Sequence, residues 1–222
     1  MVSCKALLEE LKTVVSGKTF DALLPPLLFA LMNRMVGLDI SALVALGAAL
    51  STGVIRVISG QAWHYAIVGF LGAGIASAFA YLLRTAASYF IPAAISSAFL
   101  VVLALVSLAM GKPLAAWASH LTRGWPLSWF WREDVKPAYR EVTWFWAGLF
   151  LVRFIIVWNL LLRGNVMELA WANIVLGWPI TGLALVVSYI YGFWRLQTLG
   201  GPGIDEYQDG KPPPWRGQLR GF

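Results

Sequence analysis

Six stretches of about 18–25 almost wholly apolar residues fill positions 20 to 194, and each matches the roughly 20 residues a helix needs to cross a hydrocarbon layer. Inside lipid every backbone polar group must find its partner within the chain, so such stretches become helices. The expected fold is all-α, a polytopic transmembrane helical bundle of six spans. Composition agrees: 59% of residues are hydrophobic and 13% charged, where soluble domains carry about 25% charged residues. Too little polar surface exists to cover a water-soluble globule.

The spans are expected near Phe20–Leu38, Ile40–Ile58, Ala66–Leu83, Tyr89–Met110, Val142–Leu162 and Leu169–Trp194. Residues 1–19 form a cytoplasmic amphipathic segment, with Leu7, Leu8, Leu11, Val14 and Val15 on one stripe against Lys5, Glu9, Glu10 and Lys12. The transmembrane bundle occupies 20–194. Within it, residues 111–141 are the long polar interruption, where Trp117, Trp125, Trp129 and Trp131 stand among Arg123, Arg132 and Lys136. Tryptophan beside arginine suits the headgroup layer, so this segment reads as a re-entrant or surface-lying helix with those four tryptophans as interfacial anchors. Residues 195–222, punctuated by Gly200-Gly201-Pro202-Gly203 and Pro212-Pro213-Pro214, read as an extended Gly/Pro-rich cytoplasmic tail, ordered only by a partner. Gly69, Ala73 and Ser77, and Gly72, Ala76 and Ala80, recur every fourth residue. Such faces let helix backbones approach closely in lipid.

The formal charge of +6 could suggest nucleic acid, but the basic residues are scattered singly, so no nucleic-acid partner is expected. Membrane topology explains them better. With six spans, Arg34, Arg84 and Arg163 fall on one side, and most other basic residues, including Lys112, Lys136, Arg195 and Lys211, fall on the other. Positive charge collects in the cytoplasm, which puts both termini there. The N-terminus lacks the basic-then-apolar build of a secretory signal, so insertion relies on the first span. Cys4 is the single cysteine, which rules out an internal disulfide or a cysteine-based metal cluster.

Arg153 is the sharpest anomaly, near the middle of the fifth stretch, where an arginine costs about 2.5–3.5 kcal/mol unless paired or hydrated. It marks an anion or lipid-headgroup site, or half of a gating pair with Asp39 or Glu168. The structural alternative is a packing lock held by carbonyls, Asn173 or a tyrosine hydroxyl. In the sixth stretch Gly177-Trp178-Pro179 predicts a helix break, because proline frees a carbonyl. Broken helices expose backbone in transporters, yet proline is also tolerated in ordinary spans. His64 and His120 could each be an axial ligand to haem or a pigment, or a polar anchor. Asp205, Glu206 and Asp209 read as a solvated or partner-facing cluster. No metalloprotease pair, nucleophile elbow or phosphate loop occurs, so neither a catalytic residue nor a metal site is expected and no cofactor is indicated.

Leu24-Pro-Pro-Leu-Leu-Phe29, Gly111-Lys-Pro-Leu114, Trp146-Ala-Gly-Leu-Phe-Leu-Val-Arg153 and Leu176-Gly-Trp-Pro-Ile-Thr-Gly-Leu-Ala184 resemble a domain-of-unknown-function family of bacterial integral membrane proteins. That family is distantly similar to intracellular septation protein A, an inner-membrane protein implicated in envelope maintenance. The resemblance implies a bacterial inner membrane and makes Arg153 and the Gly177 turn family features without a biochemical role. The expected function is non-catalytic: binding lipids or membrane-protein partners, as an accessory subunit, scaffold or envelope factor. The alternatives are a small transporter or channel using Arg153 and Pro179, and a pigment- or haem-binding subunit using a histidine.

Overall fold

The computed structural model describes residues 20–60 and 63–222, so the amphipathic N-terminal segment lies outside the described residues. The helices are α1 Phe20–Val36, α2 Leu38–Ile58, α3 Trp63–Leu82, α4 Ile91–Ala109, α5 Leu114–Arg123, α6 Leu127–Phe130, α7 Lys136–Arg163, α8 Val166–Val175, α9 Trp178–Leu199 and α10 Ile204–Gln208. A 3₁₀ segment, Ala86–Phe90, leads into α4, and no strand occurs among the described residues. All six apolar stretches are helical. Four helical segments have the length and composition to cross a membrane: Leu38–Ile58, Ala86–Ala109, Lys136–Arg163 and Val166–Leu199. The apolar parts of α1 and α3, Leu24–Val36 and Ala66–Leu82, are shorter. At 1.5 Å per residue, the 17 residues of α1 reach about 25 Å, less than the full hydrocarbon layer.

The chain divides into two compact units, Met1–Ser96 with Arg153–Ile180, and Ser97–Val152 with Thr181–Phe222. In the first unit, Gly37 alone separates α1 from α2. Its φ of 84° is open to glycine and costly for other residues, and the reversal pairs α1 with α2. Helix α2 also packs on α3, and a Cβ at Gly53 would stand 3.2 Å from the Ala66 Cβ, so those backbones meet closely. Phe29 stacks on Tyr89 at 4.0 Å and meets Phe90 edge-on at 6.4 Å. Val157, Leu169 and Ala170 complete that core.

The second unit is built around the Trp-rich segment. Helix α5 follows Pro113 without a side-chain cap at that position, leaving its first N–H groups in need of acceptors. Two buried hydroxyls supply them. Ser107 Oγ accepts from Leu114 N–H at 3.0 Å and Thr143 Oγ1 from Ala115 N–H at 3.1 Å, while each hydroxyl donates to a carbonyl of its own helix. Gly124, left-handed at φ 70°, ends α5 by donating to the His120 carbonyl. Glu141 on α7 holds Arg195 of α9 through Nε at 2.9 Å and Nη2 at 3.0 Å, and accepts from the Tyr191 hydroxyl at 2.7 Å.

Two expectations are corrected in this unit. Trp129 is fully buried and Trp125 nearly so, which makes them core residues rather than headgroup anchors. Trp129 Nε1 donates to the Pro202 carbonyl at 3.0 Å, while Trp117 and Trp131 pack on each other at 5.9 Å, half-exposed. Besides Trp117, the exposed tryptophans are Trp144 and Trp194 here and Trp63, Trp158, Trp171 and Trp178 in the first unit. The second correction concerns residues 200–222, which are folded within the unit rather than extended. Ile204, Gln218 and Phe222 are buried there, Ile204 N–H donates to Gln218 Oε1 at 2.9 Å, and Phe222 stacks on Tyr139 at 4.4 Å. Gly192 leaves no room for a methyl group beside the Phe222 ring.

Glu206 closes this segment into a loop, accepting from Arg216 N–H at 2.8 Å, Gly203 N–H at 2.9 Å and Gly217 N–H at 3.3 Å. The Arg216 amide first, then the other amides, hold its carboxyl below the usual carboxylate range. A depressed pKa means that the stabilisation is present above the unfolded value, about 4.3, and disappears as pH falls through the folded value. Limited proteolysis within 203–217 should therefore be constant from neutral pH down to about 5 and accelerate below about 4. Glu206→Gln should abolish that pH dependence.

Candidate functional site

The first unit carries a half-open groove of about 330 Å³. Helix α2 contributes Ala49, Thr52, Gly53 and Arg56, α3 contributes Gly69, Gly72, Ala73 and Ala76, and Pro25, Pro26, Tyr89, Phe90, Pro92 and Asn173 close it. The α3 face read above as a close-packing surface is divided: Ala73, Ala76, Ser77 and Ala80 are buried, whereas Gly69 and Gly72 are exposed and a Cβ at either would meet nothing within 4 Å. The two glycines leave space, and Gly53 meets Ala66 closely. An apolar cavity with a few placed polar groups is the usual form of a small-molecule site.

The polar groups are few and distinct. Arg56 lies in the last turn of α2, where a cation is favoured by the helix dipole. Thr52 Oγ1 donates to the Ala49 carbonyl at 3.1 Å, and Asn173 Nδ2 donates to the Leu169 carbonyl at 2.9 Å. The Asn173 side-chain oxygen and the Tyr89 hydroxyl remain available to a ligand. Asn173 also adjoins the expected break: α8 ends at Val175 and α9 resumes at Trp178. A Cβ at Gly177 would stand 2.5 Å from the Asn173 carbonyl oxygen, so only glycine fits that turn. Pro179, lacking an N–H, cannot bond the carbonyl four residues back.

Arg153 is not part of this lining. It is half-buried, its Nε is sealed from solvent, and no described residue accepts a hydrogen bond from it. No described acid pairs with Arg153, and both proposed partners stand at helix starts. Asp39 stands in the first turn of α2. Glu168 forms a reciprocal cap with Asn165, whose Nδ2 donates to Glu168 Oε1 at 2.8 Å while its Oδ1 accepts from Glu168 N–H at 3.3 Å. Asn173 does not accept from the arginine either; its Nδ2 donates to the Leu169 carbonyl.

The histidines fall in different units. His120 Nδ1 donates to the Trp125 carbonyl at 2.6 Å, which leaves Nε2 as the acceptor nitrogen, and His64 lies against Trp63. No group of three or more metal-ligating side chains occurs among the described residues. Sequence reasoning missed Arg56, Thr52 and Tyr89 as site residues. The signal was the glycine pattern of α3, which reads equally as contact or as space.

An all-helical chain with four helical segments of spanning length and apolar composition defines a polytopic helical membrane protein. The chain belongs to the family described as "Protein of unknown function (DUF3159)", which matches residues 16–194. That description carries no activity, and nothing in it connects the chain to intracellular septation protein A. No curated protein and no solved structure matches the chain.

Proposed function

We propose that this protein is a non-catalytic membrane protein that binds a lipid-like amphiphile in the groove of its first unit. The groove walled by Gly69, Gly72, Ala73 and Ala76 carries this reading. Binding is favoured over turnover because the described lining offers Arg56, Thr52, Tyr89 and Asn173 but no acid or histidine to move a proton. Transport through Arg153 loses its main support, since that residue stands outside the lining. The asymmetry of basic residues supports both termini in the cytoplasm with α1 and α3 also crossing, while the bacterial inner membrane is implied only by the family resemblance. A scaffold or accessory role remains compatible with a bound lipid, because lipids commonly seal helix contacts.

The test is extraction in a mild detergent followed by native mass spectrometry and lipid analysis. An amphiphile should travel with the chain at about one per chain. Gly72→Leu should reduce it at least about ten-fold, because leucine occupies open space, and helix content and thermal midpoint should be unchanged or raised. A chain that emerges lipid-free, or a Gly72→Leu variant that retains its lipid, overturns the reading.

A further inference from the structure

We infer that a surface of the second unit, formed by Lys112, Lys136, Arg140 and Trp144, holds the headgroup of an anionic phospholipid. It belongs to a different unit from the groove, so neither site depends on the other. Helix α7 has 28 residues, about 42 Å at 1.5 Å per residue and about 12 Å more than the hydrocarbon layer. Its apolar run, Val142–Leu162, stops one residue before the helix does, so the excess lies in the first turns, among the headgroups. Lys136, Arg140 and Trp144 follow one another at intervals of four residues and share one face of the helix. Arg140 and Trp144 are exposed there and Lys136 is half-buried. The third cation comes from the end of α4. Gly111, left-handed at φ 67°, turns the chain, and a Cβ on it would stand 3.4 Å from Lys136 Nζ. The ammonium of α7 thus lies beside the chain neighbour of Lys112, which is itself exposed.

Charge complementarity names the occupant. Elsewhere in the unit Arg132, Arg195, Lys211 and Arg220 are each paired with a carboxylate at 2.7–3.0 Å. Lys112, Lys136 and Arg140 pair with no acid among the described residues. Of the acids next to them in sequence, Asp134 is taken by Arg132, and Glu141 by Arg195 and Tyr191. Glu133 is exposed and forms no ion pair among the described residues. Two cations four residues apart on one helix face repel each other, and three gathered where a span meets the headgroup layer are neutralised by an anionic headgroup. Trp144, one turn deeper than Arg140, sets its indole where headgroup meets hydrocarbon. That favours a phosphate carried on a lipid over a free phosphate ion.

The full chain, delipidated and held in neutral maltoside micelles at about 0.15 M salt, is titrated with dioleoyl phosphatidylglycerol and separately with dioleoyl phosphatidylcholine, with occupancy read by native mass spectrometry. The first phosphatidylglycerol should bind at least about ten-fold more tightly than the first phosphatidylcholine. Lys112→Gln, Lys136→Gln and Arg140→Gln combined should remove that preference, and Arg140→Gln alone should lower it about five-fold. A control combining Lys211→Gln, Arg216→Gln and Arg220→Gln takes the same charge from the same unit and should keep it. Phosphatidylcholine binding as tightly, or a preference that survives the first combination, overturns the assignment. A control that loses the preference equally also overturns it, because the charge then acts diffusely. Gly72→Leu, which fills the groove of the first unit, should leave the preference intact; its loss in that variant would move the anionic lipid to the groove. Should the first combination fail to fold, Arg140→Gln at its exposed position still decides, and an unchanged preference there overturns the site.

Discussion

Alanine in place of Trp129 should lower the thermal unfolding midpoint in micelles by about 10 °C and release residues 200–222 to proteases. Trp129 is fully buried among Trp125, Phe130 and Tyr139, with ring centroids 5.1–6.2 Å away. Truncating a buried aromatic to alanine costs about 3–5 kcal/mol, and in a chain of this size each kcal/mol moves the midpoint by about 2–4 °C. The same change leaves the Pro202 carbonyl without its indole donor, which is why the loss should reach residues 200–222. Trp129→Phe separates the two effects. It should keep most of the midpoint but still increase cleavage near Pro202, because the hydrogen bond is lost while the packing largely survives. Equal stability of Trp129→Ala and wild type would place this residue at a surface after all.

Arg153→Met should move stability in the opposite direction, raising the midpoint by several degrees. The arginine is half-buried in a span, its Nε is sealed, and it satisfies no described acceptor. Removing it therefore orphans no partner, while the cost of holding a guanidinium in the span, about 2.5–3.5 kcal/mol at mid-bilayer, disappears. Methionine fills much of the same volume with flexible apolar atoms. Thermal scans of both proteins in the same detergent decide the matter, with helix content by circular dichroism as the control. A lowered midpoint would show that the guanidinium is compensated by an anion, and would restore the reading of Arg153 as a binding residue.

The apolar stretches were legible because length and hydropathy act locally. Any run of this kind must satisfy its own backbone in lipid, so Ile40–Ile58 became α2 and Val142–Leu162 lies inside α7. The break at Gly177 was legible for the same reason, since proline removes a donor wherever the chain then goes. The tryptophans were not. A tryptophan beside arginine reads as interfacial whether it faces headgroups or a core, and the acceptor that satisfies the buried Trp129 indole comes from a segment some seventy residues later, at Pro202. The partners proposed for Arg153 failed on similar grounds. Asp39 and Glu168 are the right chemical type, but Glu168 is held by Asn165 at the start of α8 and Asp39 is exposed in the first turn of α2.

By itself the sequence determined that the chain is helical and membrane-type, where its helices run and where the last of them breaks, because each depends on residues within a few turns of one another. The tertiary structure decided that the glycines Gly69 and Gly72 of α3 border a half-open groove rather than a contact, that Arg56 and Tyr89 line it too, and that residues 200–222 fold back to meet Trp129 and Tyr139. Those outcomes depend on which faces meet across long separations, and a glycine, an arginine or a tryptophan has the same local preference whether it meets a neighbour or open space.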